Sequence, residues 1–133
     1  MKKIRVATII ILFFNAVSGL VGGLGLILDP SGKIMQMPIE WLAPTPFTNF
    51  LIPGIILFLF IGLFSLLVAI LTIIKSKYYQ YLIIFEGIIL FIWLSVEIIM
   101  LKLFFAPLHL PYYLVAFALL NLGYLLNKKR LAN

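Results

Sequence analysis

Four long apolar stretches dominate the chain, separated by short polar segments. They cover approximately residues 6–28, 47–74, 79–105 and 111–127. A helix needs roughly 20 mostly apolar residues to cross a hydrocarbon core about 30 Å thick, and the fourth stretch lies near the lower limit. Because lipid offers no partner to a free backbone polar group, the pattern predicts membrane-spanning helices. The chain lacks the period-two alternation that is typical of a membrane β-barrel.

The helix pattern predicts an all-α membrane protein, with one transmembrane domain over residues 1–133. Its simplest architecture is an up-down-up-down bundle of four transmembrane helices, with a short interfacial outer segment after the first helix. In that segment, Asp29-Pro30-Ser31-Gly32 favours a type I turn. Pro38 and Glu40 favour a short helix that lies in the interface. Residues 106–110 are expected to form a tight connection before the fourth helix.

The basic residues predict the orientation of the bundle. One side of the membrane would hold Lys2, Lys3, Arg5, Lys75, Lys77, Lys128, Lys129 and Arg130, whereas Lys33 falls in the loop on the other side. The positive-inside rule then places both termini in the cytoplasm. The first apolar run continues to Leu28, longer than a typical signal-peptide core, so we expect an uncleaved helix. The same rule explains the net charge of +6, and no nucleic-acid partner is expected.

Composition excludes several classes of protein. Only 11% of the residues are charged and 65% are hydrophobic, whereas soluble domains carry about 25% charged residues. A water-soluble globule is therefore excluded. With no Cys and one His, the chain cannot form a disulfide framework, a thiol nucleophile or a Cys/His zinc cluster. It contains no phosphate-binding or nucleotide-binding fingerprint, so we expect no cofactor and no metal.

Two acidic residues in the third helix are the strongest functional candidates. A charged carboxylate at the centre of a membrane helix costs roughly 2.5–3.5 kcal/mol, so Glu86 and Glu97 should face the bundle interior. Their spacing is three turns, which places both on one face about 16 Å apart, with Trp93 between them. They favour a proton or cation relay, or a site for a cationic ligand stacked on Trp93. Alternatively they are structural, with Glu86 near Lys75 or Lys77.

Small and amide residues predict the helix contacts. Gly19-x-x-x-Gly23 in the first helix is a close-packing motif, and the second helix has a similar small face. Packing within the bundle is the first interpretation, and a homodimer seam through Gly19 and Gly23 is the alternative. Asn15 and Asn121 are ligand-site or proton-site candidates too, although hydrogen bonding between helices is the simpler role for both.

His109 and Asp29 lie on the predicted outer face, and Ser31 is close to Asp29 in sequence. A hydrolase would need the nucleophile within hydrogen-bond reach of the His, and the His within reach of the acid. The turn already explains Asp29 and Ser31, and a single His at a membrane interface is usually a surface group. We therefore assign no catalytic residue and keep His109 and Asp29 as outer-face candidates.

Several local features carry a family resemblance. They are the turn formed by residues 28–32 after the first helix, Pro46-Phe47 with Pro53-Gly54 near the start of the second helix, and Trp93. The whole chain resembles families of small four-helix bacterial membrane proteins and is similar in size and topology to the DoxX-like group. The resemblance implies a bacterial inner-membrane location without an assigned activity. Small multidrug-resistance transporters share the length and helix count, but their essential Glu lies in the first helix, which has no acid here.

These observations predict a non-enzymatic membrane protein that binds a lipid or an apolar small molecule, or serves as a subunit of a membrane complex. Glu97 and Trp93 would line an internal polar spot. The expected partners are membrane lipids, a second copy of the chain or another membrane protein. One alternative is a small proton-coupled transporter or channel that uses Glu86 and Glu97. The other is an enzyme that acts on lipids at the outer interface through His109 and Asp29.

Overall fold

The computed structural model describes residues 2–102, 104 and 106–132. In this part of the chain it contains no strand and four helices that are long and apolar enough to cross a membrane. They are α1 (Lys2–Leu28), α2 (Leu51–Ile73), α3 (Tyr79–Leu101) and α4 (Ala106–Ala132). Each helix packs on the next one along the chain, and α4 packs on α1. The predicted all-α four-helix bundle is confirmed.

The outward-facing surface of the bundle is apolar. Leu28, Ile99 and Leu114 are each 70% exposed or more, and many other large apolar side chains also point outward. Soluble monomers rarely expose continuous apolar patches of this kind. The surface is therefore that expected of a multi-pass membrane protein.

α1 and α2 approach each other through glycine. A Cβ atom on Gly19 would lie 2.5 Å from the backbone nitrogen of Gly62, and one on Gly23 would lie 2.6 Å from that of Phe58. Any side chain at these positions would push the two backbones apart. The predicted small-residue contact thus forms within one chain, with Gly19 and Gly23 buried against α2. This placement argues against the alternative of a homodimer seam through the two glycines.

The middle of α2 is a π-helix. Residues Leu57–Leu63 have this wider hydrogen-bond pattern, between α-helical residues Leu51–Ile56 and Phe64–Ile73. The backbone N–H of Phe64 accordingly donates to the carbonyl oxygen of Leu59, five residues earlier. π-Helical turns are rare and occur frequently at functional sites. The π-helical turn of α2 contains Gly62, which contacts α1. The hydrophobic pattern did not predict this turn.

The second helix begins later than predicted. Its first residue is Leu51 rather than a residue near 47, because residues 47–50 belong to the outer segment. Pro53 therefore lies in the first turn, where a backbone N–H would have no partner within the helix in any case.

The fourth helix begins earlier than predicted. Residues 106–110 are its first turns rather than a tight connection, so this prediction is wrong. Pro107 suits the first turn of a helix, and Pro111 costs one hydrogen bond near the helix start. α3 ends at Leu101, and Lys102 caps it with a left-handed φ of 53°. Phe105, the predicted end of the third helix, lies outside the described residues.

The outer segment, residues 29–50, is ordered by its own backbone. The Gly32 N–H donates to the carbonyl oxygen of Asp29 at 3.0 Å, which closes the predicted turn. The predicted interfacial helix is a single 3-10 turn, Ile39–Leu42, directly after Pro38. The Phe50 N–H donates to the carbonyl oxygen of Pro30 at 2.8 Å and joins the two ends of the segment.

Candidate functional site

An apolar cavity of about 260 Å³ lies inside the bundle beneath the outer segment. Small residues of α1 form one wall, the π-helical turn of α2 forms another, and one face of α3 forms a third. The residues of these helices and of α4 that line it are Ser18, Gly19, Gly22, Leu26, Pro53, Ile56, Leu57, Ile61, Leu90, Trp93, Leu94, Val96, Glu97, Met100, Leu101 and Tyr112. Almost all of the lining surface is apolar, so the cavity favours a hydrocarbon occupant.

The outer segment forms the roof of this cavity. Its lining residues there are Met35, Met37, Leu42, Thr45, Phe47 and Phe50. Leu42 and Phe50 are buried against Leu26 of α1 and anchor the roof to the bundle. The two methionines pack at the edge of that cluster, and Met is the apolar side chain that adapts most readily to a new shape.

Glu97 is the acidic residue of the cavity wall. Its side chain is 18% exposed, and its Oε2 lies 3.7 Å from Nε2 of His109, which is 1% exposed. This distance allows an ion pair when the His is protonated, but it is too long for a hydrogen bond. The early start of α4 brings His109 to this position. His109, an outer-face candidate, therefore belongs beside Glu97 rather than beside Asp29.

Trp93 lines the same cavity as Glu97, as the stripe on α3 predicted. The two residues are four positions apart, so their Cβ atoms are roughly 5–6 Å apart on one helix face. Tyr112 of α4 lines the cavity too and packs with the apolar cluster that contains Leu90 and Leu94. Trp93 and Tyr112 therefore add flat apolar surfaces to the cavity wall near Glu97.

A separate polar cluster lies deeper in the bundle, where α1, α2 and α3 meet. Ser65 Oγ donates to Glu86 Oε1 at 2.7 Å, and Asn15 Nδ2 donates to Ser65 Oγ at 2.8 Å and to Glu86 Oε1 at 3.3 Å. All three side chains are fully buried. Glu86 thus meets Asn15 and Ser65 rather than Lys75 or Lys77.

Hydrogen bonding in this cluster is incomplete. The second carboxyl oxygen of Glu86 and the amide oxygen of Asn15 are buried and have no hydrogen-bond partner. The donors of Asn15 Nδ2 and Ser65 are already used, so the cluster has more acceptors than donors. The cluster links three helices in the way expected of polar groups in membrane bundles.

An apolar layer separates the two acidic residues along α3. Leu90 and Leu94 are buried between them and pack with Ile61 of α2. Glu86 and Glu97 do share one side of the helix, but they belong to two sites with different surroundings. No hydrogen bond described for either residue connects one site with the other.

The remaining candidates lie elsewhere. Asn121 is exposed, and its Nδ2 donates to the carbonyl oxygen of Phe117 in its own helix at 2.9 Å, so the expected interhelical bond is not seen. Asp29 Oδ1 accepts from the hydroxyl of Ser31 at 2.6 Å and from its N–H at 3.2 Å. The hydroxyl bond lowers the pKa of Asp29, partial desolvation opposes that shift, and the backbone bond adds to it.

Sequence reasoning did not single out Ser65 or the roof residues as parts of a site. Ser65 had a weak signal, because it lies on the small-residue face of the second helix. The roof had another, because Met35, Met37 and Phe47 are apolar residues in a segment between helices. Neither signal shows which residues meet. Among the described residues, no group of three His, Asp or Glu side chains is placed to hold a metal ion.

Comparisons with protein-family models, with curated proteins and with solved structures found no match to this chain.

Proposed function

We propose that this chain is a non-enzymatic membrane protein that binds a lipid chain or another apolar small molecule in the cavity beneath the outer segment. The observation that carries the proposal is a cavity of about 260 Å³ with an almost wholly apolar lining. An engineered apolar cavity of about 150 Å³ is enough to bind benzene, and pockets for drug-sized ligands begin near 300 Å³. The cavity therefore suits a single chain or a small ring system.

The proposed location is the bacterial inner membrane, with both termini in the cytoplasm and the roof outside. The positive-inside rule supports the orientation. The resemblance to DoxX-like proteins supports the bacterial inner membrane, and this resemblance stays a prediction. The chain has no Cys, so single-cysteine labelling tests the orientation directly. We expect a membrane-impermeant maleimide to label Ser31→Cys on intact cells and Ser76→Cys only after permeabilisation. The reverse pattern would overturn the orientation.

Proton-coupled transport through Glu86 and Glu97 is the second candidate. It is favoured by the buried Glu86 carboxyl, whose second oxygen has no hydrogen-bond partner. Against it stand Leu90 and Leu94, which place an apolar layer between the two acids. Ligand binding needs no connection between the acids, so it is the better-supported proposal. Service as a membrane-complex subunit is compatible with ligand binding, since the cavity lies inside the bundle and leaves the outer surface of the helices for a partner.

Native mass spectrometry of the protein released from mild detergent tests the binding proposal. We expect a defined small-molecule or lipid adduct on the wild-type protein. Gly22→Leu places a side chain in the cavity, because a Cβ there meets only the side-chain atoms Leu57 Cδ2 at 3.3 Å and Met35 Cε at 3.9 Å. Val21→Leu is the matched control, since Val21 is 59% exposed on the outer surface of the same helix.

The adduct should disappear in Gly22→Leu and persist in Val21→Leu. If the adduct survives in both variants, the molecule is bound on the lipid-facing surface, and the proposal is contradicted. A wild-type protein without any adduct, and without stabilisation by added single-chain lipids, would contradict it too.

A further inference from the structure

We propose that the cavity selects a single-chain amphiphile with a protonated amine as its head group, with the amine at Glu97 and the hydrocarbon chain in the cavity. This inference rests on the proposed function and specifies its ligand class. It begins from charge: among the described lining residues, Glu97 is the one Asp, Glu, Lys, Arg or His. No Lys or Arg is among them, and His109, the described base beside Glu97, is not among them either. A ligand carboxylate or phosphate in the cavity would therefore meet an acid in the wall rather than a base.

The carboxyl group of Glu97 has acceptor capacity left. Its described neighbour His109 is 3.7 Å away, beyond hydrogen-bond distance, and a carboxylate can accept about four hydrogen bonds. The hydroxyl of Thr45, another polar group of the lining, already donates to the carbonyl oxygen of Leu42 at 2.8 Å. An ammonium group offers three donors and a charge, and charge-assisted bonds of this kind are about twice as strong as neutral ones.

Trp93 adds a second feature that favours a cation. It lies one helical turn before Glu97 and lines the same cavity. Trp is the side chain whose ring face attracts a cation most strongly, and the attraction grows when water is excluded. An amine that reaches Glu97 from the cavity would therefore pass close to an aromatic face, whereas an anionic head group would be repelled by both groups.

The size and shape of the cavity select one chain. A volume of about 260 Å³ is below the range for drug-sized ligands and fits one hydrocarbon chain better than the two chains of a phospholipid. The lining is apolar except near Glu97 and a few hydroxyls. A linear amine, with one charged end and one hydrocarbon end, matches this distribution of polar and apolar groups.

Three probes with the same chain test the head-group preference: decylamine, decanol and decanoate. Each is titrated into the delipidated protein in a non-ionic detergent at about pH 7.5, where a free alkylamine is protonated and a free carboxylic acid is ionised. Occupancy is measured by native mass spectrometry. We expect decylamine to bind about tenfold more tightly than decanol, from a charge-assisted bond of roughly 1.4 kcal/mol. Decanoate should bind most weakly.

Substitutions at Glu97 test whether its carboxylate causes the preference for the amine. Glu97→Gln should bring decylamine to the level of decanol and leave decanol binding nearly unchanged, because Gln keeps a carbonyl acceptor. Glu97→Asp keeps the charge and should retain a preference for the amine. Glu40→Gln is the matched control: it removes one acid from an exposed position on the outer segment, and the preference should remain.

The possible outcomes distinguish the two proposals. If decanol binds the wild-type protein and not Gly22→Leu, but decylamine has no advantage, the amine inference fails and the cavity function stands. Equal binding of decanoate, or loss of the amine preference in Glu40→Gln, overturns the inference as well. If none of the three probes binds, the amine inference fails. The proposed function fails with it when the wild-type protein also carries no adduct that Gly22→Leu removes.

Discussion

The close contact between α1 and α2 predicts how much stability the protein loses when a single methyl group is added at Gly19. In Gly19→Ala, the new Cβ would lie 2.5 Å from the nitrogen and 2.8 Å from the Cα of Gly62, and 2.9 Å from the carbonyl carbon of Ile61. All three atoms are backbone, so no side-chain rotation can relieve the clash. In Gly22→Ala, one turn away, the nearest atom is the end of the Leu57 side chain at 3.3 Å, which can move.

The difference between these two variants isolates the steric effect. Both gain about 1 kcal/mol from the higher helix propensity of Ala, so that term cancels. To restore ordinary contact in Gly19→Ala, α1 and α2 must separate by about 1 Å, and overpacking of this kind costs typically 1–3 kcal/mol. We therefore expect Gly19→Ala to be about 1–3 kcal/mol less stable than Gly22→Ala, which should equal or exceed the wild-type protein.

Thermal unfolding in mild detergent, followed by circular dichroism, compares the three proteins under one condition. The expected order of apparent Tm is Gly22→Ala at or above wild type, and Gly19→Ala below both. Equal Tm values for the two variants, or a higher value for Gly19→Ala, would refute the close approach of the two backbones. A change from dimer in the wild-type protein to monomer in Gly19→Ala alone would refute the assignment of this seam to one chain.

Three further predictions concern polar contacts. Ser65→Ala removes the bond that Ser65 donates to Glu86 and the one it accepts from Asn15. It should lower the free energy of unfolding by about 1–2 kcal/mol, since each interhelical hydrogen bond in membrane proteins averages about 0.6 kcal/mol; unfolding titrations with SDS measure this. Arg5 approaches the last carbonyl groups of α2 at 3.5 Å, so Arg5→Ala should cost up to about 1 kcal/mol, less at high salt, as salt-dependent Tm values would show. The Ser31 hydroxyl lowers the pKa of Asp29, so the turn is most stable above the unfolded pKa of about 3.9 and loses that stability as pH falls through the lower folded value. Ser31→Ala should shrink this acid-dependent loss, which the pH dependence of Tm between about pH 3 and pH 7 reports; an unchanged profile would contradict it.

Composition and residue spacing predicted part of the candidate site. Spacing placed Trp93 and Glu97 on one face of the third helix, and both line the cavity. It also placed Glu86 on that face, but not beside Asn15 and Ser65, which come from other helices 71 and 21 residues away in sequence. The interhelical bond expected for Asn121 failed, because one Asn in a helix gives no indication of which way it faces.

Helix number, helix order and the presence of an outer segment follow from the sequence alone, because the need to satisfy backbone groups in an apolar medium leaves few alternatives for long apolar runs. The π-helical turn and the cavity depend on tertiary structure, since the first accompanies the Gly19–Gly62 approach and the second is the space that three helices and the roof leave unfilled. The pairing of His109 with Glu97 was decided in the same way. It required α4 to begin at Ala106, and the two prolines there fit more than one starting point. Local patterns report what one segment prefers, whereas contacts between segments depend on how all of them pack.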